Sequence, residues 1–181
     1  LHPEMHRGSA WPLLGELLAT AWEVPIGFIT IARGGSNTDE WLPQNNDLYP
    51  RFPPVLKRYQ VRAVLWHQGE SDAAHGWPTE KTRANMETLI RETWKDAGWE
   101  VPWYVARVSF VPGLEQEKME ATRQAQKEIC DAGLAKPGPD TDFYVDPETM
   151  RHDRLHFNQV GLRVHALLWF MALTWGVPEA Q

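Results

Sequence analysis

Apolar and polar positions alternate along the chain between two periods, helical stretches of about twelve to twenty residues and short β-branched runs between them. Leu and Trp recur at helical intervals from Pro12 to Glu23, with Ser9 placed to cap the helix and Pro12 in its first turn. Met86, Leu89, Ile90 and Trp94 share one face between Thr79 and Gly98, and Gly98 supplies the stop. Glu115 to Ala132 reads as another amphipathic helix ending at Gly133, and Asn158 to Trp175 as a largely apolar closing helix. The short runs Pro25–Ala32, Val61–His67, Val101–Phe110 and Asp142–Val145 read as strands, with Lys136 to Asp140 as a Pro/Gly loop.

Strands alternating with helices predict an α/β fold with a mostly parallel sheet covered on both faces. In such sheets, sites form in the loops at the carboxyl ends of the strands. Three segments are expected there: Gly34-Gly35-Ser36-Asn37, Gln68-Gly69-Glu70-Ser71, and Asp153 to His156.

Composition narrows the partners. The chain has 181 residues, 43% hydrophobic and 23% charged, which suits a single globular domain over 1–181. Its net charge is −6 and it has no run of Lys or Arg, so a nucleic-acid surface is not expected. No apolar run approaches the roughly 18 residues a membrane span needs. The one cysteine, Cys130, cannot form an internal disulfide and falls in a helical pattern, as a small apolar residue would. The opening Leu1-His2-Pro3-Glu4, without Met, suggests a processed or trimmed chain.

Candidate chemistry sits in the three loops. His156 follows Asp153 by three residues, a spacing that lets a carboxylate hold an imidazole in one tautomer as a general base for acyl transfer. Backbone N–H groups of a Gly-Gly turn can face a developing oxyanion, because no Cβ blocks the approach, and a side-chain amide can add a donor. Gly35 and Gln68 suit those roles, while Glu70 is either a second acid for the histidine or a carboxylate at a helix start. Taken singly, each feature is equally well explained as turn, cap or strand-end chemistry.

Taken in order, the blocks Ala32-Arg33-Gly34-Gly35-Ser36 with Trp41, Leu65-Trp66-His67-Gln68-Gly69-Glu70-Ser71-Asp72, Arg123-Gln124-Ala125-Gln126 and Asp153-x-x-His156-Phe157 resemble the sialate O-acetylesterase and acetylxylan esterase branch of the SGNH (GDSL-like) hydrolases. The resemblance implies a three-layer flavodoxin-like fold, His156 as base, Gly35 and Gln68 as oxyanion donors, and Asp153 or Glu70 completing the triad. It implies an acetylated carbohydrate substrate, and a secreted or periplasmic address fits it. The alternative is a relative without the nucleophile that binds glycans or scaffolds a partner. A nucleotide-binding flavodoxin-like domain is disfavoured, since no Gly-rich phosphate loop opens a helix.

The pattern departs from that family in one respect. Its nucleophile lies in a Gly-Gln-Ser-Asn type motif after the first strand, and no such motif is found. None of Ser9, Ser36, Ser71 and Ser109 is expected to be the nucleophile. The resemblance also implies that the first strand is central, between those expected at 25–32 and 61–67. Its loss would leave rows of backbone groups unpaired at about 1–3 kcal/mol each. An upstream segment or another chain is therefore expected to supply it.

Ten Trp residues exceed what a domain of this size ordinarily carries. Trp22, Trp94 and Trp169 fall on apolar helix faces, whereas Trp41 and Trp77 follow site loops, where aromatic rings can stack on sugars. His67, His75, His152 and His165 read as scattered, without the converging ligands of a zinc site. Neither metal nor cofactor is expected.

Overall fold

A computed structural model describes residues 8–175. In chain order the elements are α1 (Trp11–Trp22), three single 3₁₀ turns (Thr38–Trp41, Pro43–Asn45, Tyr49–Arg51), α2 (Phe52–Arg58), β1 (Val64–Trp66), α3 (Glu70–Ala74), α4 (Thr79–Ala97), β2 (Trp103–Arg107), α5 (Gln116–Asp131), β3 (Lys136–Asp140), α6 (Thr141–Tyr144) and α7 (Gln159–Thr174). They fall into two compact units, residues 29–138 and residues 8–28 with 139–175. Among the described residues, no helix is long and apolar enough to cross a membrane.

The 29–138 unit is organised on a small sheet. β1 and β2 run parallel, pairing Val64 with Trp103, Leu65 with Tyr104 and Trp66 with Val105, and the strand order is β1-β2-β3. The predicted apolar face of α4 is buried, with Met86, Leu89 and Ile90 in one cluster with Val101, Trp103, Val105 and Ile129. Aromatic rings fill much of this core. Trp41 meets Trp66 edge-on at 5.6 Å between centroids, and Phe52 stacks on Trp103 at 5.9 Å. Two indole N–H groups find acceptors, Trp103 Nε1 donating to Thr93 Oγ1 at 3.1 Å and Trp94 Nε1 to the Val101 carbonyl at 2.8 Å, whereas the buried Trp66 Nε1 has none among the described residues. Gly98 ends α4 at φ 78°, a left-handed conformation that suits a residue without Cβ.

In the other unit α1 packs on α7. Leu14 and Leu18 of α1 and Ala166, Trp169 and Ala172 of α7 are buried, and Trp11 lies 6.4 Å from Trp169 between ring centroids. His165 sits in this core accepting the Trp169 Nε1 hydrogen at 2.8 Å. The N-cap of α1 is Ala10 rather than Ser9, although the Ser9 hydroxyl still accepts from the Trp11 N–H at 3.2 Å.

Two expected strands are corrected. Residues 25–32 run outside the sheet, and Val24, Phe28 and Ile29 are exposed. A β-branched run needs a neighbouring strand for its hydrogen bonds, and β1 ends the strand order on that side. Arg51 instead holds the end of the run by donating to the Ile31 and Ala32 carbonyls. Residues 142–145 are not a strand. Asp140 Oδ1 accepts the Phe143 N–H at 3.2 Å and turns 141–144 into the short α6. The strand is Lys136–Asp140, read from sequence as a loop. Its two prolines cannot donate to a ladder, but at the sheet's edge only one side need pair.

Candidate active site

His156 lies in a turn whose two ends are tied together. Arg151 and Phe157 form an isolated antiparallel bridge, the His152 N–H donates to the His156 carbonyl at 2.9 Å, and the Asn158 N–H donates to the Met150 carbonyl at 3.0 Å. Arg154 takes a left-handed φ of 66° at the apex. Arg151 braces the turn by donating to the Leu155 carbonyl and packing over the Phe157 ring at 4.6 Å.

Asp153 works both of its oxygens. Oδ1 accepts the backbone N–H groups of Leu155 and His156 at 3.0 and 2.6 Å, and Oδ2 lies 2.6 Å from His156 Nδ1. Burial alone would raise this carboxyl's pKa, but hydrogen bonds from the His156 ring and the two backbone N–H groups, with the His156 charge, outweigh it. Asp153 is therefore held well below the usual carboxylate range. A charged carboxylate on Nδ1 leaves Nε2 as the imidazole atom able to take and return a proton. The segment follows α6 rather than a strand, so a capped turn positions His156.

Two residues not singled out from sequence fix this turn to α7. Asn158 caps the helix, accepting from the Val160 and Gly161 N–H groups, while its amide donates to the Thr149 carbonyl at 2.9 Å. Gly161 lies against the Met150 carbonyl, which a Cβ would meet at 2.2 Å. Only the Asn cap, three residues before a glycine at the start of an apolar helix, could have signalled this.

In the 29–138 unit, the loops after residues 32 and 67 are laced to each other. The Ser71 hydroxyl donates to the Gly35 carbonyl at 2.8 Å. Buried Asp72 accepts the Thr38 N–H at 2.9 Å, the Thr38 hydroxyl at 2.6 Å and the Gln68 amide at 2.7 Å. Asn85 of α4 adds a bond to the Thr38 hydroxyl. Gly35 sits at φ 73° with no other group within 4 Å of where a Cβ would stand, beyond its chain neighbours. The conformation demands glycine, and the space in front of it is open.

Gln68 is more constrained than the sequence suggests. An ionised carboxylate only accepts, so Asp72 dictates that Nε2 faces it, and the second N–H points to the Ser36 carbonyl at 3.2 Å. Oε1 is buried without a hydrogen-bond partner. Both amide hydrogens are thus committed, the one on Ser36 through the longer bond. Glu70 accepts the Gly69 N–H at 3.1 Å, the helix-start chemistry that was one of its two readings.

The approach of Gly69 to β2 explains why this loop needs that glycine. A Cβ there would lie 1.9 Å from the Val108 carbonyl oxygen. Gln126 of α5 stitches the same junction: its Oε1 accepts the Val108 N–H at 3.0 Å, and its Nε2 donates to the Val108 and Gln68 carbonyls at 2.8 and 3.1 Å.

Trp41 is corrected from a sugar platform to a core residue. It is 3% exposed, edge-on to Phe52 and Trp66, with its indole N–H on the Ser36 hydroxyl at 2.9 Å. Trp77 has Lys81 Nζ over its ring at 3.9 Å. The serines have structural work: Ser36 donates to the Arg33 carbonyl, Ser71 to Gly35, Ser9 accepts from Trp11, and Ser109 is fully buried. Burial pushes the Cys130 thiol up to about 11, away from nucleophilic reactivity. The histidines are not all scattered: His152 and His156 stand four apart, one turn-length spacing within the same loop. With Asp153 they offer ligand atoms lying within 4.8 Å of one another.

The family model for carbohydrate esterase, sialic acid-specific acetylesterase, matches residues 11–170. The chain belongs to this family. A probable carbohydrate esterase of Arabidopsis thaliana is 35% identical over 74 residues, covering 36% of the chain and 27% of the plant protein, so the chain matches about a quarter of that relative's length. Among solved structures, the psychrotrophic esterase EstA from Pseudoalteromonas sp., inhibited by monoethylphosphonate, superposes with a TM-score of 0.70 at 16% identity, covering 95% of this chain and 91% of EstA. TesA superposes at 0.72 and 13% identity, covering 98% and 93%. The fold is that of the SGNH esterases, α/β and flavodoxin-like, as the sequence blocks imply. Membership in a carbohydrate esterase family makes the chain part of an ester hydrolase family.

Proposed function

We propose that this sialic acid-specific acetylesterase family member removes O-acetyl groups from a sugar or polysaccharide by serine catalysis. The observation carrying the reading is the 2.6 Å bond between Asp153 Oδ2 and His156 Nδ1. It supports Asp153 rather than Glu70 as the acid of the triad, since Glu70 is engaged with the Gly69 N–H. A serine N-terminal to Leu1 attacks the acetyl carbonyl and His156 Nε2 takes its proton, forming a tetrahedral oxyanion. Collapse expels the sugar hydroxyl, protonated by His156, and leaves an acetyl-enzyme. Water activated by the same histidine then releases acetate and regenerates the serine.

The Gly35 N–H and one Gln68 amide N–H stabilise the oxyanion in both tetrahedral steps. For Gln68 this is the hydrogen now directed at the Ser36 carbonyl, because the bond to the Asp72 carboxylate is shorter and charge-assisted. Replacing Gln68 with Ala should lower kcat by about 10²–10³-fold, the usual cost of one oxyanion donor. Activity unchanged in Gln68→Ala would remove it from the oxyanion site.

The family and the outer edge of β1 support a nucleophile outside the described serines. β1 ends the strand order on one side, where a further parallel strand would find backbone groups to pair with. Acetate release from acetylated sugars by the full-length protein, abolished in His156→Ala with folding retained, tests the reading. Undiminished release in that variant would overturn it.

A further inference from the structure

We infer that His152, Asp153 and His156 form a binding site for a late first-row divalent cation, for which Zn²⁺ is the probe, and that occupancy switches the esterase off. The inhibitory half rests on the reading of His156 as base, whereas the binding half does not.

The donor set is what such an ion prefers, two imidazoles and a carboxylate. The ligand atoms lie within 4.8 Å of one another. Asp153 Oδ2 is the common point, 2.6 Å from His156 Nδ1 and 3.8 Å from His152 Nδ1. Three donors each about 2.0–2.2 Å from one zinc ion would stand some 3–3.5 Å apart, so the two Asp153 distances must open and close by less than an ångström, and the two imidazole donors, within 4.8 Å of each other, must draw together to that spacing.

The turn keeps the three donors close together. Its ends are held by the Arg151–Phe157 bridge and the His152-to-His156 backbone bond. The imidazoles are nearly parallel, 15° between planes and 5.8 Å between centroids. Asp153 Oδ1 is bound to two backbone N–H groups, which aims Oδ2 at both rings. Asp153 is thus a ligand already oriented by its own hydrogen bonds, a feature that strengthens metal sites generally. All three side chains are open to solvent, so a hydrated ion has access.

Binding through Nδ1 has a definite chemical consequence. The cation displaces the proton that now bridges His156 Nδ1 and Asp153, and the neutral ring takes up one proton at Nε2, a change of tautomer with no net proton released by His156. The neutral metallated imidazole carries its one hydrogen on Nε2. It then has no lone pair with which to accept a proton from the nucleophile, and the carboxylate that would steady an imidazolium is bound to the metal.

The test uses the full-length protein without an affinity tag. Calorimetric titration with ZnCl₂ should show one strong site per chain. His152→Ala, and separately Asp153→Asn, should weaken it about tenfold or more, in line with the usual loss from disturbing a metal's ligand environment. His75→Ala should leave it unchanged. In parallel, Zn²⁺ should suppress acetate release, a chelator should restore it, and His152→Ala should retain metal-free turnover while shifting inhibition to about tenfold higher Zn²⁺. Zinc affinity unchanged in both His152→Ala and Asp153→Asn, or full turnover by the zinc-loaded chain, would overturn the inference. If the metal-free protein releases no acetate, the esterase reading fails while the calorimetric arm still decides the site.

Discussion

Asp153 concentrates most of the local chemistry in one carboxylate. Replacing it with Asn keeps its shape but removes the charge that holds the His156 tautomer, and kcat should fall by about 10³–10⁴-fold with little change in KM. Its lowered pKa gives a second check. A carboxyl depressed by folding contributes stability that is fully present above the ordinary value near 4 and is lost as pH falls through the folded value. In a carbon-detected NMR titration, the Asp153 carboxyl should stay flat through the ordinary aspartate range near pH 4 and move only in stronger acid. An ordinary titration would show that the turn does not hold His156 as described. At Gly69 steric overlap decides: Gly69→Ala drives a methyl into the Val108 carbonyl, and overpacking of this kind costs about 1–3 kcal/mol or more. Chemical denaturation should show a midpoint well below that of the parent chain.

Elements were legible where the pattern was long and periodic. The helices expected at 12–23, 79–98, 115–132 and 158–175 appear within a residue or two, because their buried faces recur every three or four positions. Elements that depend on a neighbour were legible in part: β1 and β2 fall inside the runs expected at 61–67 and 101–110. The run at 25–32 has strand composition, but strand formation belongs to the pair rather than the segment, whereas Lys136–Asp140 becomes a strand despite two prolines because it lies at an edge. Short helices such as α2 and α3 carry too few turns to show a period. The same holds within the site. Asp153 and His156 were visible as a spacing, but the amide network of Gln126 is made of long-range bonds that no local pattern announces, and the brace of Asn158 was signalled only by an Asn three residues before a glycine. Gln126→Leu should remove three hydrogen bonds at the ends of β1 and β2, leaving buried partners unpaired at about 1–3 kcal/mol each. A melting temperature unchanged in that variant would mean the junction is held otherwise. For α7, Asn158→Ala should cost about 1 kcal/mol through the lost cap and loosen the His156 turn, lowering kcat more than it lowers stability.

At the scale of the molecule, the family places the chain among carbohydrate esterases, and its superposition on EstA and TesA places it in the SGNH fold. Within that frame the chain carries His156 and Asp153, the proposed base and its carboxylate partner, and a laced pair of loops proposed to stabilise an oxyanion. Of the ten Trp residues, Trp41, Trp66, Trp103 and Trp169 are buried in the core. Alanine replacement of Trp41 should therefore lower stability rather than alter selectivity among the acetylated sugars proposed as substrates. The central claim is that His156 serves a reactive serine. Its most direct test is intact mass spectrometry of the full-length protein after treatment with an organophosphonate probe, with peptide mapping of the adduct. The account predicts one phosphonyl group per chain, on a serine other than Ser9, Ser36, Ser71 and Ser109, and no labelling in His156→Ala. An unlabelled native protein that also releases no acetate, or a label on one of those four serines, would contradict it.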